Sequence, residues 1–101
     1  MGAHNFIEFG RGAHARDAFE RLVDEATWEH GHDSYNGTIS TTSLVGRAVK
    51  VADEWSDDAR ELAIAEAERN GWGEKWESRA IDCGAIGDGE RMWAFYGWAA
   101  C

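Results

Sequence analysis

The residues best suited to chemistry are concentrated in one stretch of the chain, which reads WEHGHDSYNGTIST from Trp28 onward. His30 and His32 lie two positions apart within it, and the carboxylates of Glu29 and Asp33 lie beside them. Imidazole and carboxylate groups are common ligands of divalent metal ions, but a metal site usually takes more protein ligands than this pair supplies. His30 and His32 are therefore candidate metal ligands only. We prefer the interpretation that His30 caps a helix carbonyl and His32 forms a hydrogen bond within the turn, and we predict no metal.

No motif for nucleophilic catalysis or for phosphate binding is complete in this sequence. Cys83 falls in a predicted strand and Cys101 is the last residue, so the two cysteines form neither a nucleophile motif nor a disulfide framework. Gly10-Arg11-Gly12 lacks the further glycine or the Lys-Ser/Thr pair of a phosphate-binding loop, and we predict an ordinary turn there. These gaps favour a binding protein over an enzyme, and we predict no cofactor.

Aromatic residues are more numerous than a core of this size requires. The chain holds six tryptophans, two tyrosines and four phenylalanines among its 101 residues. Exposed tryptophan and tyrosine mark interfaces with a partner or with a second copy of the chain, whereas the alternative is that all the rings fill a core lined with alanine. We predict that Trp72 and Trp76, which lie in a predicted loop, reach the surface. The predicted partner surface consists of Trp72, Trp76, Glu29, Asp33 and Tyr35.

The net charge restricts the class of partner. Nineteen acidic residues against ten basic residues give a net charge of −9. Most of such a surface would repel a nucleic-acid backbone, so we expect no direct binding to nucleic acid. The negative surface either serves solubility alone, which is the simpler interpretation, or docks on a basic partner protein. No apolar run is long enough to span a bilayer and no signal sequence is present, so we expect a cytoplasmic protein without membrane contact.

The first half of the chain is predicted to hold a strand, a helix and two further strands. Residues 4–9 alternate as in a strand. Residues 38–41 are rich in β-branched side chains, 41–44 are expected to form a hairpin loop, and 45–51 are interpreted as a strand, although their apolar residues also fit one face of a helix. A helix is predicted over 13–30, because apolar residues recur there on one face: Ala15, Ala18, Phe19, Leu22, Val23 and Ala26.

The second half is predicted to hold a helix and an antiparallel hairpin. Ser56-Asp57-Asp58 is expected to open the helix, with Ser or Asp as its cap, and Asn70-Gly71 to end it. Strands are predicted over 79–85 and 91–99 around the turn Gly87-Asp88-Gly89, and the last strand is apolar on both sides, which is typical of a central strand. The apolar face of the second helix is rich in alanine: Ala59, Leu62, Ala63 and Ala67.

The resulting order of elements is β-α-β-β-α-β-β. It predicts one α+β domain over residues 1–101. We expect two layers, in which both helices cover one face of a mainly antiparallel sheet of about five strands.

Two parts of the sequence resemble a pattern found in small tailed-phage and prophage proteins. The stretch from Glu29 to Ile39, EHGHDSYNGTI, fits E-x-G-H-x-x-Y-x-G-T-I, and the C-terminal FYGWA from Phe95 fits F-x-G-W-A. The chain departs from that group at Glu77-Ser78, where the group has Gly-Pro. The resemblance covers most of the chain and implies a phage context without a particular activity. Compact acidic phage proteins are often inhibitors of host machinery, including nuclease-based defence such as CRISPR systems.

Two functions are compatible with the sequence. The first is an inhibitor or adaptor that binds a basic or nucleic-acid-binding host protein in the host cytosol through an acidic and aromatic surface, with a second copy of the chain as an alternative partner. The alternative is a small-ligand or nucleotide-binding protein, or a metal-dependent enzyme, that uses His30, His32, Asp33 and Tyr35. We prefer the first.

Overall fold

The computed structural model of the protein describes residues 2–30 and 39–100; of His30 and Ser40 it describes the backbone only. These residues form two α-helices and a five-stranded, mostly antiparallel sheet, which confirms the α+β class and the predicted order of elements. The elements are β1 (Ala3–Gly12), α1 (Ala15–His30), a 3-10 turn (Ile39–Thr41), β2 (Ser43–Leu44), β3 (Val49–Lys50), α2 (Asp57–Arg69), β4 (Glu77–Gly87) and β5 (Glu90–Ala100).

Three long strands make up the body of the sheet. β5 lies between β1 and β4 and pairs with both of them in antiparallel register. The short strands β2 and β3 pair in parallel with β4. The central position of β5 is the one that its apolar residues on both sides predict, because such a strand must be covered on both faces.

The two helices lie on opposite faces of the sheet, so the prediction of two layers with both helices on one face is wrong. Side chains alternate along β5, and Phe95 packs beneath α1 whereas Tyr96 packs beneath α2. Each helix buries its own apolar stripe, and a sheet that is apolar on both sides needs a cover on each. The buried cluster under α1 consists of Ala18, Phe19, Ile39, Ala80, Trp93 and Phe95. The buried cluster under α2 consists of Ala59, Ala63, Ala67, Ile81, Cys83, Ala94 and Tyr96.

Gly10 and Gly12 belong to β1, so the prediction that they end the strand in a turn is also wrong. Both glycines face α1. A Cβ atom on Gly10 would lie 3.0 Å from the side chain of Leu22, and one on Gly12 would lie 2.9 Å from the backbone nitrogen of Ala18. The glycines therefore serve close approach of the helix to the strand rather than a reversal of the chain.

The segment between the two helices differs most from its prediction. Its β-prone start is a 3-10 turn, the expected loop at 41–44 contains β2, and the predicted strand 45–51 is reduced to Val49–Lys50. The backbone N–H groups of Val45 and Val51 also donate to carbonyls of β4. Thr42 closes the turn, because its hydroxyl donates to the carbonyl of Ile39 at 2.7 Å and also lies 2.6 Å from the hydroxyl of Ser78. These tertiary hydrogen bonds outweigh the local preference of β-branched residues for a strand. Thr38 lies outside the described residues.

The second helix confirms its predicted boundaries. The hydroxyl of Ser56 accepts a hydrogen bond from the backbone N–H of Ala59 at 3.1 Å, and Asn70 caps the other end. Its three predicted alanines are buried, but Leu62, predicted on the same face, is 50% exposed. The helix contacts the sheet along the row of alanines one turn apart, and Leu62 lies to one side of that row. No helix of the described residues is long and apolar enough to cross a membrane.

Candidate functional site

The most exposed aromatic side chains of the described residues are those of Trp28 and Trp76. Trp28, in the last turn of α1, is 90% exposed, and Trp76, directly before β4, is 43% exposed. The exposure of Trp76 agrees with its predicted place at the surface. Trp28 is absent from the predicted partner surface, although its position in the sequence indicates that it is exposed. It lies two positions beyond Ala26, the last residue of the apolar stripe, and therefore on the opposite side of the helix.

Both tryptophans lie at the same end of the sheet. The contacts of the two β1 glycines show that α1 runs back along β1, so the C-terminal end of α1 lies towards the start of β1. β1 begins opposite the end of β5, and β4 begins opposite that same end. The backbone N–H of Trp76 donates to the carbonyl of Trp98, near the end of β5, at 2.8 Å. We use the name tryptophan end for this end of the domain, where Trp28 lies on the outer side of α1, Trp76 precedes β4, and Trp98 belongs to the face of the sheet that carries α2.

Backbone hydrogen bonds on both sides hold Trp76 in place. Its carbonyl accepts from the N–H of Ser43 at 3.0 Å, so this one residue links β5 to β2. Its φ of 65° is left-handed, a conformation that is unfavourable for a residue with a Cβ atom. The surrounding backbone therefore fixes the direction of the Cα–Cβ bond of Trp76.

Trp72 differs from Trp76, although both were predicted at the surface. It also has a left-handed backbone, with φ of 64°, and its N–H donates to the carbonyl of Ala67 at 2.9 Å. Its side chain is half-buried and packs against the alanine-rich cluster beneath α2. Trp72 therefore belongs to the C-terminal end of α2 and not to the tryptophan end.

The other predicted site residues lie at or beyond the end of α1. Glu29 is exposed in the last turn of α1, next to Trp28, and the backbone of His30 ends that helix. His32, Asp33 and Tyr35 lie outside the described residues, and the proposed use of His30 with them stays a prediction. Among the described residues, Glu29 is therefore the predicted site residue that lies next to Trp28.

Acidic side chains surround Trp28 on the outer side of α1. Asp24 and Glu25 precede it by four and three positions, so they share its face of the helix, and both are exposed. Together with Glu29 they place three carboxylates within one turn of an exposed indole. This arrangement combines apolar area with negative charge, which suits a basic surface that also offers an apolar pocket.

The described residues offer little support for metal or thiol chemistry. Within 2–30 and 39–100, no group of three His, Cys, Asp or Glu side chains is placed to hold a metal ion. Burial, followed by the neighbouring carboxylate of Asp82, raises the pKa of the Cys83 thiol to about 12. Cys83 therefore stays a protonated thiol near neutral pH, and a protonated thiol is a poor nucleophile.

Comparison with known proteins gives no relative from which a function could be transferred. The chain matches no protein-family model, no curated protein and no solved structure. The functional argument therefore depends on the geometry of the tryptophan end.

Proposed function

We propose that this protein is a small acidic binding protein that recognises a basic partner protein through the tryptophan end. The observation that carries the proposal is the 90% exposure of Trp28 in a domain that buries four other aromatic side chains: Phe19, Trp93, Phe95 and Tyr96. A fold that can bury rings of this size leaves Trp28 in water, and exposed tryptophan is the residue most enriched among binding hot spots.

The apolar area of the two exposed tryptophans is large enough to matter. An aromatic side chain buries roughly 150–250 Å², and at about 25 cal/mol per Å² full burial of one indole contributes roughly 4–6 kcal/mol before costs. Association itself costs an estimated 4–15 kcal/mol, so one ring alone does not suffice. Trp28 and Trp76 together, with a rim of carboxylates that speeds encounter with a basic surface, support specific binding.

The charge and the phage resemblance together suggest the kind of partner. A protein of net charge −9 is complementary to a basic surface that otherwise holds nucleic acid. We propose that the partner is such a host protein, of a defence or nucleic-acid-handling type, and that the protein inhibits it by covering that surface. A second copy of this chain is the other occupant that the tryptophan end would fit.

Truncation of Trp28 tests this function. The purified full chain, its Trp28→Ala variant and its Leu62→Ala variant are immobilised and exposed to bacterial lysate, and retained proteins are identified by mass spectrometry. Leu62 is the matched control, because it is an exposed apolar residue on the helix of the opposite face. We expect the original chain and Leu62→Ala to retain the same basic protein, with affinity weakened about 30-fold or more by Trp28→Ala, as for a hot spot of about 2 kcal/mol.

The outcome is read together with stability and oligomeric state. Trp28→Ala should leave the unfolding temperature unchanged, because the side chain has little contact to lose. Light scattering that shows a dimer, converted to a monomer by Trp28→Ala, would assign the tryptophan end to a second copy. Retention of the same partner by Trp28→Ala and by Trp76→Ala, with undiminished affinity, would exclude the tryptophan end as the binding surface.

A further inference from the structure

A cavity of about 330 Å³ opens on the face of the sheet that carries α2. It lies between the C-terminal part of α2, the loop that follows it, and strands β4 and β5. Glu66 and Asn70 line it from the helix, Arg79 from β4 and Tyr96 from β5. Arg47, from the segment before β3, completes the wall. The volume is at the lower end of the range for small-molecule sites.

Two arginines at this cavity have few commitments within the protein. Arg47 forms no hydrogen bond and no ion pair with any residue in the described ranges. The single ion pair of Arg79 there is a long one, 3.9 Å from Nη2 to the carboxylate of Glu77. Acidic residues outnumber basic ones by nineteen to ten, so most arginines would be expected to have a carboxylate within ion-pair distance. Two weakly engaged guanidinium groups at one cavity are therefore a distinctive feature of this surface.

The carboxylate of Glu66 does not cancel this positive charge. The Glu66 residue is only 8% exposed, and one carboxylate oxygen accepts from the side-chain nitrogen of Asn70 at 2.9 Å. The other oxygen forms an ion pair with Arg69, on the same helix. Glu74 also lines the cavity, from the loop, where its side chain is exposed. The two guanidinium groups thus face the carboxylate of Glu74, which has no ion pair with a described residue, and that of Glu77 at the long distance from Arg79 already given.

Tyr96 supplies a polar atom at the floor of the cavity. The residue is 4% exposed. Its hydroxyl has no hydrogen bond to a residue within 2–30 or 39–100, yet no side-chain oxygen or nitrogen there is both buried and unpartnered. The Tyr96 hydroxyl therefore keeps some accessible surface, and Tyr96 is one of the residues that line the cavity. A hydroxyl in this position can donate to a bound oxygen atom.

Two glycines allow the walls to approach this closely. Gly46 has a φ of 74°, and a Cβ atom there would lie 3.0 Å from the guanidinium nitrogen Nη1 of Arg79. Gly73 has a φ of 74° as well, and a Cβ atom there would lie 3.4 Å from the ring of Tyr96. Both left-handed positions favour glycine, and the absence of a side chain leaves room for Arg79 and for the ring of Tyr96.

From this arrangement we infer that the cavity binds a small organic oxyanion. The guanidinium groups of Arg47 and Arg79 hold a carboxylate or phosphate group, because planar guanidinium donors match both. The Tyr96 hydroxyl donates to the same group or to a neighbouring oxygen. This site is distinct from the tryptophan end and does not depend on it.

Binding is tested on the full chain by calorimetry and thermal shift. The probes are adenosine monophosphate, inorganic phosphate and succinate, so that a phosphate ligand and a carboxylate ligand are distinguished. The variants are Arg47→Gln and Arg79→Gln, with Arg16→Gln as the matched control, because Arg16 is an exposed arginine on α1, across the sheet from the cavity. Trp28→Ala is included to separate this site from the proposed protein-binding surface.

We expect at least one probe to raise the unfolding temperature of the original chain, of Arg16→Gln and of Trp28→Ala. Arg47→Gln and Arg79→Gln should each weaken the affinity by about tenfold or more, as expected for loss of a charge-assisted hydrogen bond. Tyr96→Phe, which keeps the ring and the packing, should weaken it by about threefold or more. The inference is overturned if no probe binds at low ionic strength, or if Arg16→Gln weakens binding as much as the two cavity variants do.

Discussion

Replacement of Gly12 by alanine tests the close packing of α1 on β1. A Cβ atom there would lie 2.9 Å from the backbone nitrogen of Ala18 and 3.3 Å from its Cα and Cβ atoms, which is closer than ordinary van der Waals contact. The obstacle is helix backbone, so it cannot rotate away as a side chain would. The helix has to move off the strand by a few tenths of an ångström, and this loosens the buried cluster under α1.

The expected cost follows from two opposing effects. Overpacking of a well-packed core typically costs about 1–3 kcal/mol. Exchange of glycine for alanine restricts the unfolded chain and returns about 0.4–1 kcal/mol. We therefore expect Gly12→Ala to lower the free energy of unfolding by about 1–2 kcal/mol, which corresponds to a fall of roughly 5–10 °C in the unfolding temperature of a domain of this size.

Gly10→Ala is the matched control for this experiment. Its Cβ atom would meet the side chain of Leu22 at 3.0 Å, and Leu22 is only partly buried, so its side chain can move aside. We expect a change near zero, because the modest cost of moving Leu22 offsets the gain from the unfolded state. Both variants and the original chain are unfolded in urea and followed by circular dichroism. A Gly12→Ala variant as stable as Gly10→Ala would refute the idea that the helix backbone rests directly on β1.

Two further substitutions test the buried residues of the sheet. Trp93→Phe removes the hydrogen bond from Nε1 to the carbonyl of Gly12, 2.9 Å long and buried, and should lower the free energy of unfolding in urea by about 1–3 kcal/mol; an unchanged value would show that this bond adds nothing. In a Cys101→Ser background the thiol of Cys83 should resist alkylation at neutral pH until the chain unfolds, because burial, followed by the charge of Asp82, raises its pKa from 9.0 to about 12. As pH rises, the unfolded chain loses the Cys83 proton before the folded chain does. The stability that Cys83 contributes is therefore present below pH 9.0 and is lost as pH rises towards 12, by at most about 1.4 kcal/mol per pH unit. Comparison with Cys83→Ala isolates this effect, and equal dependence of stability on pH in the two proteins would contradict it.

Features that depend on neighbours in the chain were predictable from the sequence. The ends of α2 at Ser56 and Asn70 were predictable, because a helix cap is an interaction within one turn of the helix and the residues that form it are close in sequence. The glycine-rich reversal between β4 and β5 is equally local. The exposure of Trp76 was predicted from its position in a loop. The exposure of Trp28 was not predicted, although Trp28 lies outside the apolar stripe of α1.

The cavity was beyond reach of the sequence. Arg47, Arg79 and Tyr96 are far apart along the chain and belong to no recognisable motif. Arg79 and Tyr96 lie opposite each other in the β4–β5 hairpin, which the sequence did predict. Arg47 joins them through the parallel pairing of β2 and β3 with β4, and α2 covers the same face of the sheet. Nothing in the sequence pattern indicates that Arg47 and α2 meet the hairpin there.

The sequence alone determined the class of fold, the order of its elements, the central place of β5 and the acidic character of the surface. Hydrophobic periodicity, caps and charge are read within a few residues, so no knowledge of the rest of the chain is needed. Only the tertiary structure decided that α1 and α2 cover opposite faces. The alternation along β5 offers an apolar surface on both sides, and whether two apolar stripes share one surface or divide between two depends on connections and close contacts such as Gly12 on Ala18.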